Sequence, residues 1–122
     1  MSREMNSLLF KERTKRFAIE IIRMVETLPR TGAADIIGRQ LIRSGTSIGA
    51  NYRAACRSRS RADMIAKLKI VEEEGDETLY WMELLRDIGL IAPSVLERHM
   101  SEANQIVAMI VRSIKTLRST PG

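Results

Sequence analysis

Histidine and cysteine occur once each in this 122-residue chain, proline three times, and aromatic side chains make up only 4% of it. Each scarcity excludes something. A lone Cys56 can close no internal disulfide and build no thiolate metal site, which suits a small buried or half-buried residue in a reducing compartment. His99 alone cannot furnish the paired Glu-x-x-His motifs of a carboxylate-bridged di-metal centre, and no glutamate stands three residues before it. With so few rings, the core must come from Ile, Leu, Val, Met and Ala, a palette that packs helices better than a β-sandwich. Long apolar runs are also missing. The stretch Ile106 to Val111 is bounded by Gln105 and Arg112, far short of the roughly 20 residues of a membrane span. Met1 to Leu9 is too short for the apolar stretch of a secretory signal, so a cytoplasmic protein away from the membrane is expected. Nor does the chain carry a nucleophile paired with a base, a glycine-rich phosphate loop or a metal-ligand cluster. The expectation is therefore no enzyme, no cofactor and no metal.

What is present is helical periodicity, and 44% hydrophobic residues are enough for one continuous core, hence a single domain over 1–122. Phe10, Phe17, Ile21, Met24 and Leu28 recur at spacings of one helical stripe, and Pro29 and Gly32 close the segment. Ala34, Ile37, Leu41, Ser44, Ile48, Asn51 and Ala55 form a second stripe that starts near Thr31 or Asp35. Ser60 with Asp63 reads as a shortened capping box ahead of Met64, Leu68, Val71, Gly75, Thr78, Met82 and Leu85. Pro93 suits the first turn of a last helix carrying Leu96, Met100, Ala103, Val107, Ile110, Ile114 and Leu117. Helices over about 8–28, 33–56, 61–88 and 94–118, joined by a few residues each, predict an all-α, up-and-down antiparallel four-helix bundle.

Three helices carry a second apolar edge: Ala18, Ile22 and Val25; Ile70, Trp81, Leu84 and Ile88; Ile106 and Val111. These edges fit either a broad core stripe or self-association, with Trp81, Leu84 and Ile88 as the candidate oligomer interface. The segment Arg43 to Asn51 is richer in small residues than a core helix requires, since each glycine costs about 1 kcal/mol against alanine. Close approach of a neighbouring helix accounts for that composition. An antiparallel hairpin brings Ser44 towards Val71 to Glu77, so Ser44, Ser47 and Asn51 with Glu74 and Glu77 are expected to form a structural polar network, hydroxyls facing carboxylates, with a ligand site as the alternative reading.

Gln40-Leu41-Ile42-Arg43-Ser44 with Ser47-Ile48 and Asn51, then Ser60, Asp63, Lys67-Leu68, Glu74, Glu77-Thr78, Tyr80-Trp81 and Leu84-Leu85, resembles a bacterial four-helix-bundle protein family. That family is known from reading frames in the intervening sequences of large-subunit ribosomal RNA genes, and it has relatives that are accessory proteins of diversity-generating retroelements. The similarity runs from about Phe10 to Leu117 and is strongest from Gln40 to Leu85. It implies a homopentamer of bundles arranged as a barrel and, through the retroelement relatives, a reverse transcriptase as partner. Many members have an acidic residue and a glycine shortly after the asparagine; Arg53, Ala54 and Ala55 occupy that stretch here.

Alternating helix direction gathers three basic segments at one end: Lys11, Arg13, Lys15 and Arg16; Arg53, Arg57, Arg59 and Arg61; Arg112, Lys115 and Arg118. These eleven cations face only Glu12 and Asp63, a local charge of +9 in a chain of net +5. The helix dipole favours cations at the ends of helices two and four but opposes them at the starts of helices one and three. Arginine supplies 15 of the 20 basic residues, and its planar fork suits phosphate oxygens. One reading is therefore RNA or DNA backbone binding without base reading, since no helix-turn-helix, finger or stacking platform is evident. The other is a solvated or self-docking end, with the acidic run Glu72, Glu73, Glu74, Asp76 and Glu77 of a neighbouring copy as its partner, in a purely structural or adaptor scaffold.

Overall fold

Capping divides the chain. Thr31 and Ser60 stand in extended backbone, and their hydroxyls accept from the backbone N–H of Ala34 (3.3 Å) and Asp63 (3.0 Å), satisfying donors that the first turn of a helix leaves open. Pro93 occupies the first turn of the last helix, where its missing N–H is harmless. A computed structural model describes residues 3–120 as four helices: α1 (Arg3–Val25), α2 (Gly32–Cys56), α3 (Arg61–Asp87) and α4 (Pro93–Ser119). Met1, Ser2, Pro121 and Gly122, counted in the expected 1–122 domain, lie outside the described residues. Helix α3 ends in a Schellman motif. Gly89 takes φ +75, Leu90 N–H reaches the Leu85 carbonyl (3.1 Å) and Gly89 N–H that of Arg86 (3.2 Å).

The fold is an antiparallel four-helix bundle, and α1 departs from the expected 8–28 at both ends. Its first turns, rich in Glu, Met and Leu, favour helix although Leu8 and Leu9 remain 60% and 58% exposed. At the other end the Thr27 hydroxyl donates to the Met24 carbonyl (2.6 Å), and the backbone tightens into bonds from Thr27 to Met24 and from Leu28 to Val25 before Pro29 is reached.

All four predicted stripes point inward. Phe17 and Ile21, Leu41 and Ile48, Val71 and Met82, and Leu96 and Ile110 are each at most 1% exposed. Burial of each such side chain stabilises the fold by about 1.5–3 kcal/mol relative to exposure. Ile106, expected on an edge, is core at 1% exposure. Consecutive helices pack along their length, α2 and α3 most extensively, whereas α1 and α4 touch far less. The small residues of α2 serve α1 as much as α3. A Cβ on Gly45 would stand 3.1 Å from Ile21, and one on Gly49 would stand 3.1 Å from the Thr14 hydroxyl. Gly75 of α3 instead receives Val107 of α4. No helix among the described residues is long and apolar enough to cross a membrane.

Candidate nucleic-acid interface

The alternation of direction puts the end of α2, the start of α3 and the end of α4 at one tip. Two contacts join the elements there: Arg61 donates to the Thr120 carbonyl (2.5 Å), and the Ser7 hydroxyl lies 3.2 Å from Cys56 Sγ. Arg53, Arg57, Arg59, Arg61, Arg112, Lys115 and Arg118 are all exposed at this end of the molecule. The acid among them, Asp63, is engaged: Lys67 Nζ donates to it at 2.9 Å, and that bond, more than any other influence, holds its carboxyl below the ordinary range.

The basic segment of α1 begins level with these cations and runs away from the tip. With Ser7 at Cys56 and Thr14 at Gly49, Lys11 stands level with Tyr52 and Arg53, and Arg16 about 8 Å further along the flank. Lys15 and Arg16 are exposed and Lys11 is half-buried. Arg13 is drawn into the bundle. Its Nε and Nη2 donate to the two Glu102 oxygens at 2.8 and 2.7 Å, and Nη2 also reaches Gln105 Oε1 at 2.9 Å, a bidentate clasp from α1 to α4. That bond raises the Arg13 pKa further above its already high value.

The polar network differs from the expected one in its pairing. Ser44 and Thr78, both fully buried, bring their hydroxyls within 2.9 Å across the α2–α3 seam, and Thr78 also donates to the Glu74 carbonyl (2.7 Å). Ser47 and Asn51 turn back on their own helix, to the Arg43 carbonyl (2.6 Å) and the Ser47 carbonyl (2.8 Å). The carboxylates of Glu74 and Glu77 meet no hydroxyl; both are taken by Arg43, which bonds Glu74 at 3.2 Å, Glu77 and also Gln40 Oε1 (3.0 Å). A guanidinium is a stronger partner for a carboxylate than a hydroxyl, and it keeps the Glu77 carboxyl below its ordinary range. The hairpin register that places Ser44 near Glu77 places Arg43 there too, so this pair was readable from complementary charge.

Trp81 is half-buried, donates its ring N–H to Glu77 (3.3 Å) and lies edge-on to Tyr80 with centroids 5.1 Å apart. Leu84 is half-buried, while Ile88 is 51% and Tyr80 53% exposed. With Ile36 of α2 also 65% exposed, this flank offers an apolar strip.

The sequence model of the 23S rRNA-intervening sequence protein family matches residues 6–112. A comparison with curated proteins finds no match. Among solved structures, the chain is similar to a crystal structure of a protein of unknown function from the S23 ribosomal protein family of Bacteroides thetaiotaomicron VPI-5482. The two are 35% identical over 89% of this chain and 97% of that one, with a TM-score of 0.83. A family match over most of the length, joined to the same fold at that identity, makes this chain a member of the 23S rRNA-intervening sequence protein family.

Proposed function

We propose that this protein is an oligomeric binding module, not an enzyme, that grips the RNA or DNA backbone through its cationic tip without reading base sequence. The observation that carries this reading is the convergence of seven exposed cations from α2, the turn after it, α3 and α4 on one end, where Asp63 is occupied by Lys67. Six of the seven are arginines, suited to bidentate contact with phosphate. The family's link to 23S rRNA intervening sequences is consistent with an RNA partner, and presentation of nucleic acid to a reverse transcriptase is the accessory role that the resemblance implies. Titrating labelled RNA and DNA at several salt concentrations tests the proposal. Affinity should fall linearly in log–log form, with a slope of roughly −0.9 per duplex phosphate neutralised. Replacing Arg57, Arg59 and Arg61 with Ala should weaken binding and flatten that slope by about three contacts. No binding at low salt, or binding indifferent to these replacements, overturns it.

A second reading, a self-assembling scaffold, is favoured by two apolar flanks on different sides of the bundle. The α3 flank carries Ile70, Tyr80 and Ile88 around exposed Glu73 and Asp76; the α1 flank carries Leu8, Ile19 and Ile22 around Lys15. Since Thr14 packs at Gly49 and Ser44 at Thr78, Lys15 stands nearly level with Glu73 and Asp76. Parallel copies in a closed ring, five by the family resemblance, would then match apolar to apolar and acid to base. Light scattering should give a multimer without nucleic acid, and Ile88→Asp or Trp81→Ser should dissociate it; a monomeric parent chain refutes the assembly.

A further inference from the structure

The seam between α1 and α4, the least intimate in the bundle, opens into a cleft of about 560 Å³ at the end opposite the cationic tip. Its floor is His99. That imidazole is only 4% exposed, makes no hydrogen bond to any described residue, and has as its nearest carboxylate oxygen Glu20 Oε2, 3.7 Å from Nδ1 and beyond hydrogen-bond reach. Among the described residues only Ser58 Oγ is both buried and unpartnered, so the ring nitrogens of His99 open to the cleft and are free to meet a ligand there. On the rim stand Arg23 of α1 and Arg98 of α4, both exposed and neither paired with a carboxylate among the described residues. Helix α4 begins at this cleft with no side-chain cap and no acidic residue in its first turn, leaving its positive dipole end unopposed. The remaining walls are mostly apolar, formed by Met24, Leu90, Ile91 and Val95, with Thr27 and the carboxylate of Glu20 among them.

We propose that this cleft binds a small organic anion with an apolar body, its anionic head held by Arg23, Arg98 and the imidazole of His99. The volume lies within the roughly 300–1,000 Å³ of small-molecule sites, and apolar walls with a few convergent polar groups are the usual composition of such sites. A metal cation is disfavoured, because one imidazole and one carboxylate stand beside two guanidiniums that repel it. Inorganic phosphate satisfies the head but leaves the apolar walls wet, so a carboxylate on a short hydrocarbon is the better match. Glu20 lines the same cleft, 3.7 Å from the imidazole, and steadies its protonated form, so the anion and the proton on His99 bind cooperatively. Burial and Arg98 hold the free imidazole below its ordinary pKa, and a bound anion raises it again. The site is separate from the tip proposed to hold nucleic acid, and either stands without the other.

His99 is the chain's one histidine, so its ring signals in NMR spectra of the full-length protein are unambiguous. Hexanoate should shift them saturably and raise the pH midpoint of the ring, with inorganic phosphate binding more weakly. Arg98→Ala should weaken hexanoate binding about tenfold, the scale of one charge-assisted bond lost. Val95→Glu, at a position already 39% exposed, should abolish it while the circular dichroism stays helical. Shifts that grow linearly without saturation, or equal affinity in the parent and Arg98→Ala chains, overturn the site. Phosphate binding as tightly as hexanoate overturns the apolar body.

Discussion

The α2–α3 and α1–α4 seams close the same bundle by different means. Between α2 and α3 the helices meet over their length, through buried Leu41, Ile48, Leu85 and Met82 and a fully buried polar crossing, Ser44 to Thr78, with the partly exposed clasp of Arg43 on Glu74 and Glu77 beside it. Between α1 and α4 contact is sparse, and much of the closure falls to a half-exposed clasp, Arg13 with Glu102 and Gln105, and to the loose approach of Glu20 to His99. Burial stabilises in proportion to apolar area, whereas partly exposed ion pairs are screened by water and contribute little. The hairpins of consecutive helices should therefore hold the fold, and the first-to-last seam should be the place where it opens and admits a ligand.

The strongest way to break that contrast is Met82→Ala, which empties a fully buried position beside α2. A loss of about 2–5 kcal/mol is expected in urea unfolding, from lost transfer energy plus the cavity left behind. Gly75→Ala should follow at about 1–3 kcal/mol, because the new methyl drives into Val107. Thr78→Val, nearly isosteric, leaves Ser44 without its cross-helix partner. It should cost about 1–2 kcal/mol, with a non-additive double mutant when combined with Ser44→Ala. Glu102→Gln on the opposite seam should cost at most about 1 kcal/mol and progressively less as salt is added. If Glu102→Gln destabilises as much as Met82→Ala, the contrast between the seams is mistaken.

A titration sharpens the same comparison with a smaller effect. Burial, then Arg98, lowers the His99 pKa, with Glu20 opposing in part, so folding favours the neutral ring. Below about 6.5 the unfolded chain takes up a proton that the folded chain refuses. Stability present above that pH should therefore decline as the pH falls from about 6.5 toward the depressed folded value. His99→Gln should flatten the slope of urea midpoint against pH across this window. A midpoint that rises on acidification there contradicts the assigned burial.

Much of the fold was legible because it is written in local signals. Thr31, Ser60 and Pro93 mark helix starts, Gly89 an end, and three-four spacing marks the faces that turn inward. The start of α1 escaped that reading, since Leu8 and Leu9 are carried on helix propensity with little burial to leave a stripe. The candidate site was half legible. Helix alternation was sufficient to bring Arg57, Arg59, Arg61 and Arg118 together and to set Lys11 level with Arg53, but Arg13 proved to be engaged with Glu102.

What the residues determine by themselves is periodic: where each helix runs, which stripe is apolar, and therefore that short connections lay four rods antiparallel. Which rod each small residue faces, and that His99 lies under a cleft between the first and last helices, depend on lateral neighbours tens of residues away. Those pairings are settled by the rotation of one helix against another, which no spacing along a single chain encodes and only packing of the whole core selects.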